Sequence, residues 1–375
     1  MAQAEFVRAA PEPDELAWVT ALLHELVEIE SITPGMQGGH ALRVRGRFVR
    51  ASDEVFRRIA PACRARGRTA LLRHEEGAPI IVILDGVVRP APNNRWLPVV
   101  LAALTVLSML ATYTLTWEAE SLNWAAIVAK LPRGLSFTAA LLTILVCHEF
   151  GHYFMARHFG VAVTLPYLIP FPLSPFGTMG AVIHMKDVPP SRRAMLLIGA
   201  AGPLAGLIVG VPILLLGLAL SEVQALPPGG GYFIEGNSLL YGLLKLAVFG
   251  RWLPSGAEDV FIHPVAFAGW AGLLVTSFNL LPAGQLDGGH AAAALLGARA
   301  RYLTWAVIAA TLLMGLVWQG WLLWAVLIYL FSRARAQPMD DVTPLSTRER
   351  LVAIALLVLF ALTFTPLPLR IVPPM

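Results

Sequence analysis

Charge and cysteine are both scarce in this sequence. Lys, Arg, Asp and Glu make up 14% of its 375 residues, while 57% are hydrophobic; an ordinary soluble domain is about 25% charged. That shortage excludes a chain that is soluble and globular throughout, and points to a membrane protein in contact with a lipid bilayer. Two cysteines, Cys63 and Cys147, are too few for a disulfide framework, and Cys147 reads as a small packing residue in an apolar helix. No internal repeat runs along the chain, as one would in many transporters. The net charge is only +4, with 13 of the 28 Lys and Arg placed before Trp96. Such an asymmetry speaks of orientation in a membrane, and no nucleic acid is expected among the partners.

Against this apolar background, His148-Glu149-Phe150-Gly151-His152 is conspicuous. The preceding run from Gly134 to Cys147 carries no charge, and ionisable groups at membrane depth are costly and usually mark function. On a helix His148 and His152 share one face and can hold one Zn²⁺, with Glu149 beside them as a base for an attacking water. The competing reading is a histidine pair satisfied by neighbouring helices, with Glu149 paired to an arginine. An unligated glutamate in hydrocarbon would need its own explanation, which weighs against it.

Residues 1–95 read as a small soluble α+β domain. Residues 1–30 hold one basic residue, Arg8, against seven acidic ones, unlike a secretory or transit sequence. Leu16–Glu30 has helical spacing. Leu42, Val44, Gly46 and Phe48 alternate with Arg43, Arg45 and Arg47 in a period-two strand with an arginine face, most simply a solvated one. Ser52 is placed to cap a helix carrying Val55, Phe56, Ile59 and Cys63 on one side, and Thr69–His74 with Ile80–Leu84 suggests a hairpin.

Residues 96–375 read as a transmembrane domain of about seven α-helical spans, with a catalytic core over 134–290. The expected spans are Trp96–Trp117, Gly134–His158, Ala194–Ser221, Pro264–Leu286, two within Tyr302–Ser332 broken near Gln319-Gly320, and Leu351–Leu369. Gly202, Gly206 and Gly210 recur every four residues, a face that lets another helix approach closely. Asn237–Gly250, which contains Lys245, reads as an interfacial or shallowly buried segment on the far side and not a span. Arg157, Lys186, Arg192, Arg193, Arg299, Arg301, Arg333, Arg335, Arg348 and Arg350 all fall on the side of the N-terminal domain, and Lys130, Arg133, Lys245, Arg251 and Arg370 on the other. By the positive-inside rule that side is the cytoplasm, in a multi-pass protein of the cell membrane.

Two histidines do not complete a catalytic zinc site, which takes three protein ligands. Nothing suitable follows His152 at short range. The next conspicuous acid is Asp287, in Asn279-Leu280-Leu281-Pro282-Ala283-Gly284-Gln285-Leu286-Asp287-Gly288-Gly289, at the end of another uncharged run. H-E-F-G-H in one membrane helix with N-x-x-P-x-x-x-L-D-G in a later one resembles the site-2 protease family of intramembrane zinc metalloproteases. The resemblance covers roughly Gly134 to His290 and includes Phe176–Gly180 and Gly199–Pro203. It is closest to the bacterial and plastid branch, without a PDZ-like insertion or a CBS-like pair. It implies that His148, His152 and Asp287 ligate zinc, that Glu149 is the catalytic base, and that Asn279 lies near a bound transmembrane protein substrate. Ligands to one ion must lie at one depth, so Asn237–Gly250 cannot cross the membrane without putting Asp287 on the wrong side.

A transmembrane helix must unwind to be cut. Val161–Met185, rich in proline, glycine and β-branched residues, can form a membrane-level β-hairpin whose edge pairs with the opened segment, with Gly177 and Gly180 as substrate-contacting positions. The expected function is hydrolysis of peptide bonds in or near transmembrane segments. The alternatives are a membrane-anchored zinc protease acting on cytoplasmic-side chains, and a non-catalytic membrane binder that keeps the fold. His290 follows the Asp287 loop, and a surface position at the start of a helix is expected in preference to a place behind the metal ligands. The sequence does not speak to oligomeric state.

Overall fold

The computed structural model describes residues 13–34, 41–87, 94–118, 123–227, 229, 231–332 and 337–373. The chain divides into two compact units. The first comprises Met1–Ala91 with two later segments, Asp187–Ala194 and Gln337–Leu345; the second comprises the rest. Arg8, Arg333 and Arg335, used above for charge balance, lie outside the described residues.

In the first unit the order is α1 (Pro13–Leu23), β1 (Val27–Pro34), β2 (Ala41–Phe48), α2 (Ser52–Ala65), β3 (Arg68–Glu75) and β4 (Ala78–Asp85). The strands form one antiparallel sheet in the order β1-β2-β4-β3. α2 lays Val55, Ile59 and Cys63, all fully buried, against Leu72, Ile81 and Ile83, the stripe that a 3.6-residue period predicts. The expected helix over Leu16–Glu30 is corrected: it stops at Leu23, and Val27–Pro34 pairs with β2. Val27, Ile29, Ile32 and Thr33 are β-branched, and a cross-strand partner outweighs their helical spacing. Ser52 does not cap α2 either. Ala51 holds the cap position without a side-chain bond, because the Ser52 hydroxyl accepts from Thr343 Oγ1 at 2.9 Å. The β3–β4 hairpin forms as expected, turning at Glu76-Gly77. The arginine face of β2 is laced by ion pairs, Arg43 with Glu75, Arg45 with Glu76 and Arg47 with Glu28.

The later segments extend this sheet. Leu72 N–H donates to Met339 O at 2.9 Å and Asp341 N–H to Leu72 O at 3.2 Å, so residues 339–341 run along the outer edge of β3. Met339 and Asp340 in turn donate to Pro189 O and Pro190 O. An open sheet edge is thereby covered.

The second unit begins with α3 (Trp96–Tyr113), continued by a π turn (Thr114–Glu118), and α4 (Trp124–His158). The Asn123 side chain accepts from Ala125 N–H and starts α4 ten residues before the expected Gly134. β5 (Tyr167–Pro170) and β6 (Thr178–Val182) form the antiparallel hairpin expected within Val161–Met185. There follow α5 (Arg192–Ala219, its first turn counted in the first unit), β7 (Glu222–Ala225), β8 (Tyr232–Glu235), α6 (Leu239–Phe249), β9 (Glu258–Phe261), α7 (Pro264–Asn279), α8 (Asp287–Leu296), α9 (Ala300–Met314), α10 (Gly320–Ser332), α11 (Thr347–Thr363) and β10 (Leu369–Val372). β7 pairs with β9 and β8 with β10, four short strands that the sequence did not announce.

Among the described residues three helices are long and apolar enough to cross a membrane: Trp96–Glu118, Trp124–His158 and Arg192–Ala219. The expected span Pro264–Leu286 is corrected. α7 ends at Asn279 after 16 residues, and the chain turns through Pro282 and Gly284 (φ 58°) before α8 begins. Tyr302–Ser332 is two helices, α9 and α10, separated at residues 315–319. Asn237–Gly250 holds the 11-residue α6, about 16 Å at 1.5 Å per residue and too short to cross. Lys245 lies within it. It is fully buried, its Nζ 2.9 Å from Glu235 Oε1 and 3.4 Å from Asp259 Oδ1. Around α7, Phe267, Trp270, Phe137, Tyr113 and Trp117 form the aromatic centre of the core.

Candidate metal centre

α4 presents His148, Glu149 and His152 inward, all buried. Glycines on α5 make room for them. A Cβ at Gly202 would strike the His152 ring, and one at Gly206 would lie 3.1 Å from His148 Nδ1. A Cβ at Gly210 would be in ordinary contact with Ile144. The glycine face expected to admit a neighbouring helix therefore admits the motif helix itself. Within the motif, Gly151 serves the same approach, since a Cβ there would collide with the Ala201 carbonyl.

Asp287 arrives from the break after α7. The residues Asp287-Gly288-Gly289 open α8 folded back on their own approach: a Cβ at Gly288 would strike Leu280 O, and one at Gly289 would strike Gly284 O. Only glycine permits that tight return. It turns the Asp287 carboxylate towards the histidines, with Oδ2 3.4 Å from His148 Nε2 and 3.2 Å from His152 Nε2, while the two Nε2 atoms are 3.2 Å apart.

Three ligand atoms 3.2–3.4 Å apart match three corners of a tetrahedron around zinc, whose bonds of about 2.0–2.1 Å put the corners about 3.3 Å apart. Hydrogen bonding explains the cluster less well. His152 Nδ1 lies 2.7 Å from Ile198 O, which holds that nitrogen's proton and leaves Nε2 a bare lone pair in the neutral ring. That lone pair, His148 Nε2 and a carboxylate oxygen converge on one point, a donor set suited to a cation. His148, His152 and Asp287 are the group among the described residues whose ligand atoms could hold a metal ion.

Glu149, one residue from His148, is buried and lies beside the backbone of Ile183, immediately after β6. Asn279, at the end of α7, places its side-chain amide 3.3 Å from His148 Nε2. Gly177 and Gly180 both have positive φ, 73° and 100°. They differ in surroundings: a Cβ at Gly177 would be 2.5 Å from Met109 Cα, whereas nothing lies within 4 Å of one at Gly180. His290 is corrected from a surface position to a buried one, with its Cβ 3.1 Å from a Cβ built at Gly199. The alanine run Ala291–Ala294 was the available signal, because a helix with such small side chains packs on most of its faces. The Ile198 carbonyl has no signature in sequence, as any residue supplies one.

The apolar helices and the His-His-Asp cluster, its histidines buried, describe an α-helical membrane protein with a candidate metal centre. Residues 136–318, just under half of the chain, match Peptidase family M50, in keeping with the resemblance to the site-2 proteases. It is 34% identical over 239 residues to a probable zinc metalloprotease EGY1, chloroplastic, of Oryza sativa subsp. japonica (60% of this chain, 40% of that protein). It is 35% identical over 241 residues to the Arabidopsis thaliana protein of the same name (62% and 43%). With a probable zinc metalloprotease EGY2, chloroplastic, of Arabidopsis thaliana it shares 32% identity over 232 residues (61% and 41%). The alignments thus span about two fifths of these relatives' length. No solved structure matches the chain.

Proposed function

We propose that this protein is an intramembrane zinc metalloendopeptidase that cuts transmembrane protein substrates within or near their membrane segments. The observation that carries the reading is the tetrahedral spacing of His148 Nε2, His152 Nε2 and Asp287 Oδ2 beside the buried Glu149. His148, His152 and Asp287 would hold the ion, and Zn²⁺, the metal in the relatives' names, supplies Lewis acidity towards a water and a carbonyl. Glu149 takes a proton from the attacking water as its oxygen bonds to the carbonyl carbon. It then delivers that proton to the amine nitrogen as the C–N bond breaks. In this reading Asn279 and Gly180 face the substrate, which docks as an added strand beside β6. The expectation for Gly177 is corrected, since it packs against α3.

We infer that the shorter helices α7, α9, α10 and α11 cross together with the three long ones, seven crossings in all. The segments before α5 and α11 belong with the N-terminal sheet and so share its side. The β8–β10 pairing puts the region after α5 and the chain after α11 together on one side as well. The arginine distribution supports a cytoplasmic side for the N-terminal sheet, in a multi-pass protein of the cell membrane.

Glu149→Gln and Asp287→Ala test the reading together. Purified full-length protein in lipid vesicles should bind one zinc and cleave a model transmembrane helix. Glu149→Gln should keep the zinc and lose cleavage by at least about 10³-fold, as expected for removal of a general base. Asp287→Ala should lose both. Cleavage surviving Glu149→Gln would remove that residue from its assigned role.

A further inference from the structure

α3 meets the loop of the β5–β6 hairpin through three side chains that the chemistry above leaves unused. Ser108 Oγ donates to Gly177 O at 2.6 Å, Thr112 Oγ1 to Pro172 O at 3.3 Å, and Trp117 Nε1 to Pro175 O at 2.8 Å. The loop is proline-rich and short of N–H donors of its own. At membrane depth such irregular backbone persists only where protein groups satisfy it. Gly177 also presses on the α3 backbone at Met109.

The helix is built to present all three. Ser108 and Thr112 lie one α turn apart, but five further residues of regular α-helix would carry Trp117 about 140° away from Thr112. Instead Thr114–Glu118 is a π turn, whose bonds span five residues and bring position 117 back round to the loop. α4 is fitted to this irregularity: a Cβ at Gly134 would strike Thr114 Oγ1. The Trp117 ring is held from the other side by Phe233 and Phe267, with centroids at 5.0 and 4.9 Å.

We propose that Ser108, Thr112 and Trp117 are positioning residues that set the register of the hairpin, and thereby choose which peptide bond of an added strand reaches Glu149. The inference rests on the proteolytic reading. β6 is the link: it packs against α4, and its five residues run from the loop anchored on α3 to Ile183, beside Glu149. With the loop pinned at one end and Ile183 beside the carboxylate at the other, a docked strand has one register. Released from α3, the hairpin can admit neighbouring registers. A slip of one residue turns every side chain to the opposite face, so the accessible slips are of about two residues.

The test uses the full-length, zinc-loaded protein in lipid vesicles with a model transmembrane substrate. Cut positions are read by mass spectrometry. Register is read independently of turnover from a photoreactive residue replacing Val182 in the Glu149→Gln background. Wild type should show one dominant cut and one cross-linked position. Ser108→Ala and Trp117→Phe, which keeps an aromatic ring but no N–H, should add cuts and cross-links displaced by about two residues, with zinc content unchanged. Ser108→Thr, which keeps the hydroxyl, should retain the wild-type pattern. Unchanged positions in Ser108→Ala, Trp117→Phe and their double variant, whatever the yield, would overturn the inference while leaving proteolysis intact. A zinc-loaded wild type that cuts nothing would overturn the proteolytic reading and this inference with it.

Discussion

At the scale of single residues, the metal centre depends as much on absent side chains as on those present. Gly202 has no atom to spare, because its α-carbon faces the imidazole of His152 at a distance no Cβ could share. Gly210, two turns along the same face, would bring a methyl only to 3.6 Å from Ile144, an ordinary contact. The two glycines look equivalent in sequence, yet Gly202→Ala and Gly210→Ala should behave differently. Gly202→Ala should displace His152 and reduce zinc stoichiometry to a small fraction of wild type. Gly210→Ala should leave it near one, and metal analysis of the two purified proteins checks the contrast. Similar zinc contents would mean that α4 and α5 approach less closely than described.

At the scale of elements, the short strands and α6 are organised by a buried charge cluster. Lys245 on α6 bonds Glu235 at the end of β8 and Asp259 on β9, and Tyr241 donates its hydroxyl to Glu235 at 3.0 Å. One ammonium therefore joins three elements with no exposed surface of its own. Removing it would leave two buried carboxylates facing each other without a counter-charge. Lys245→Ala should destabilise this region by about 3–5 kcal/mol, seen as a lowered thermal unfolding midpoint. The zinc site, built on other elements, should keep its metal at temperatures below that transition. A midpoint within experimental error of wild type would show that the carboxylates find other partners.

For the molecule as a whole, distant stretches of chain are gathered into each unit. In the first unit the Arg73 guanidinium donates to Pro338 O at 2.8 Å and Met339 O at 2.9 Å, clipping residues 337–341 onto the edge of β3. Asp340, nearly fully buried, caps the following turn by accepting from Val342 and Thr343 N–H. Arg192 pairs with Asp341, and Arg64 with Asp187, so the other late segment is held as well. Arg73→Ala should free the 337–345 segment and expose it to protease. Limited proteolysis should cut there several-fold faster than in wild type, while the sheet core around Ile59 and Leu72 stays protected. Equal rates would assign the segment's order to its backbone pairing alone.

Composition and local pattern determined much of this protein. Hydrophobic runs marked the long helices, because a segment that must bury its backbone polar groups in lipid has to be both apolar and helical. H-E-F-G-H put two imidazoles on one face, since helical spacing is a local property. The proline and glycine content of Val161–Met185 announced its hairpin for the same local reason. Long-range partners decided the rest. β1 became a strand because β2 lay beside it, and α7 stopped at Asn279 because Asp287 had to turn back towards His148 and His152. The proton position on His152 depends on a carbonyl at Ile198, and the face Trp117 presents depends on one extra residue in a helical turn. Such features depend on which surfaces meet in space, and spacing along the chain carries no record of that meeting.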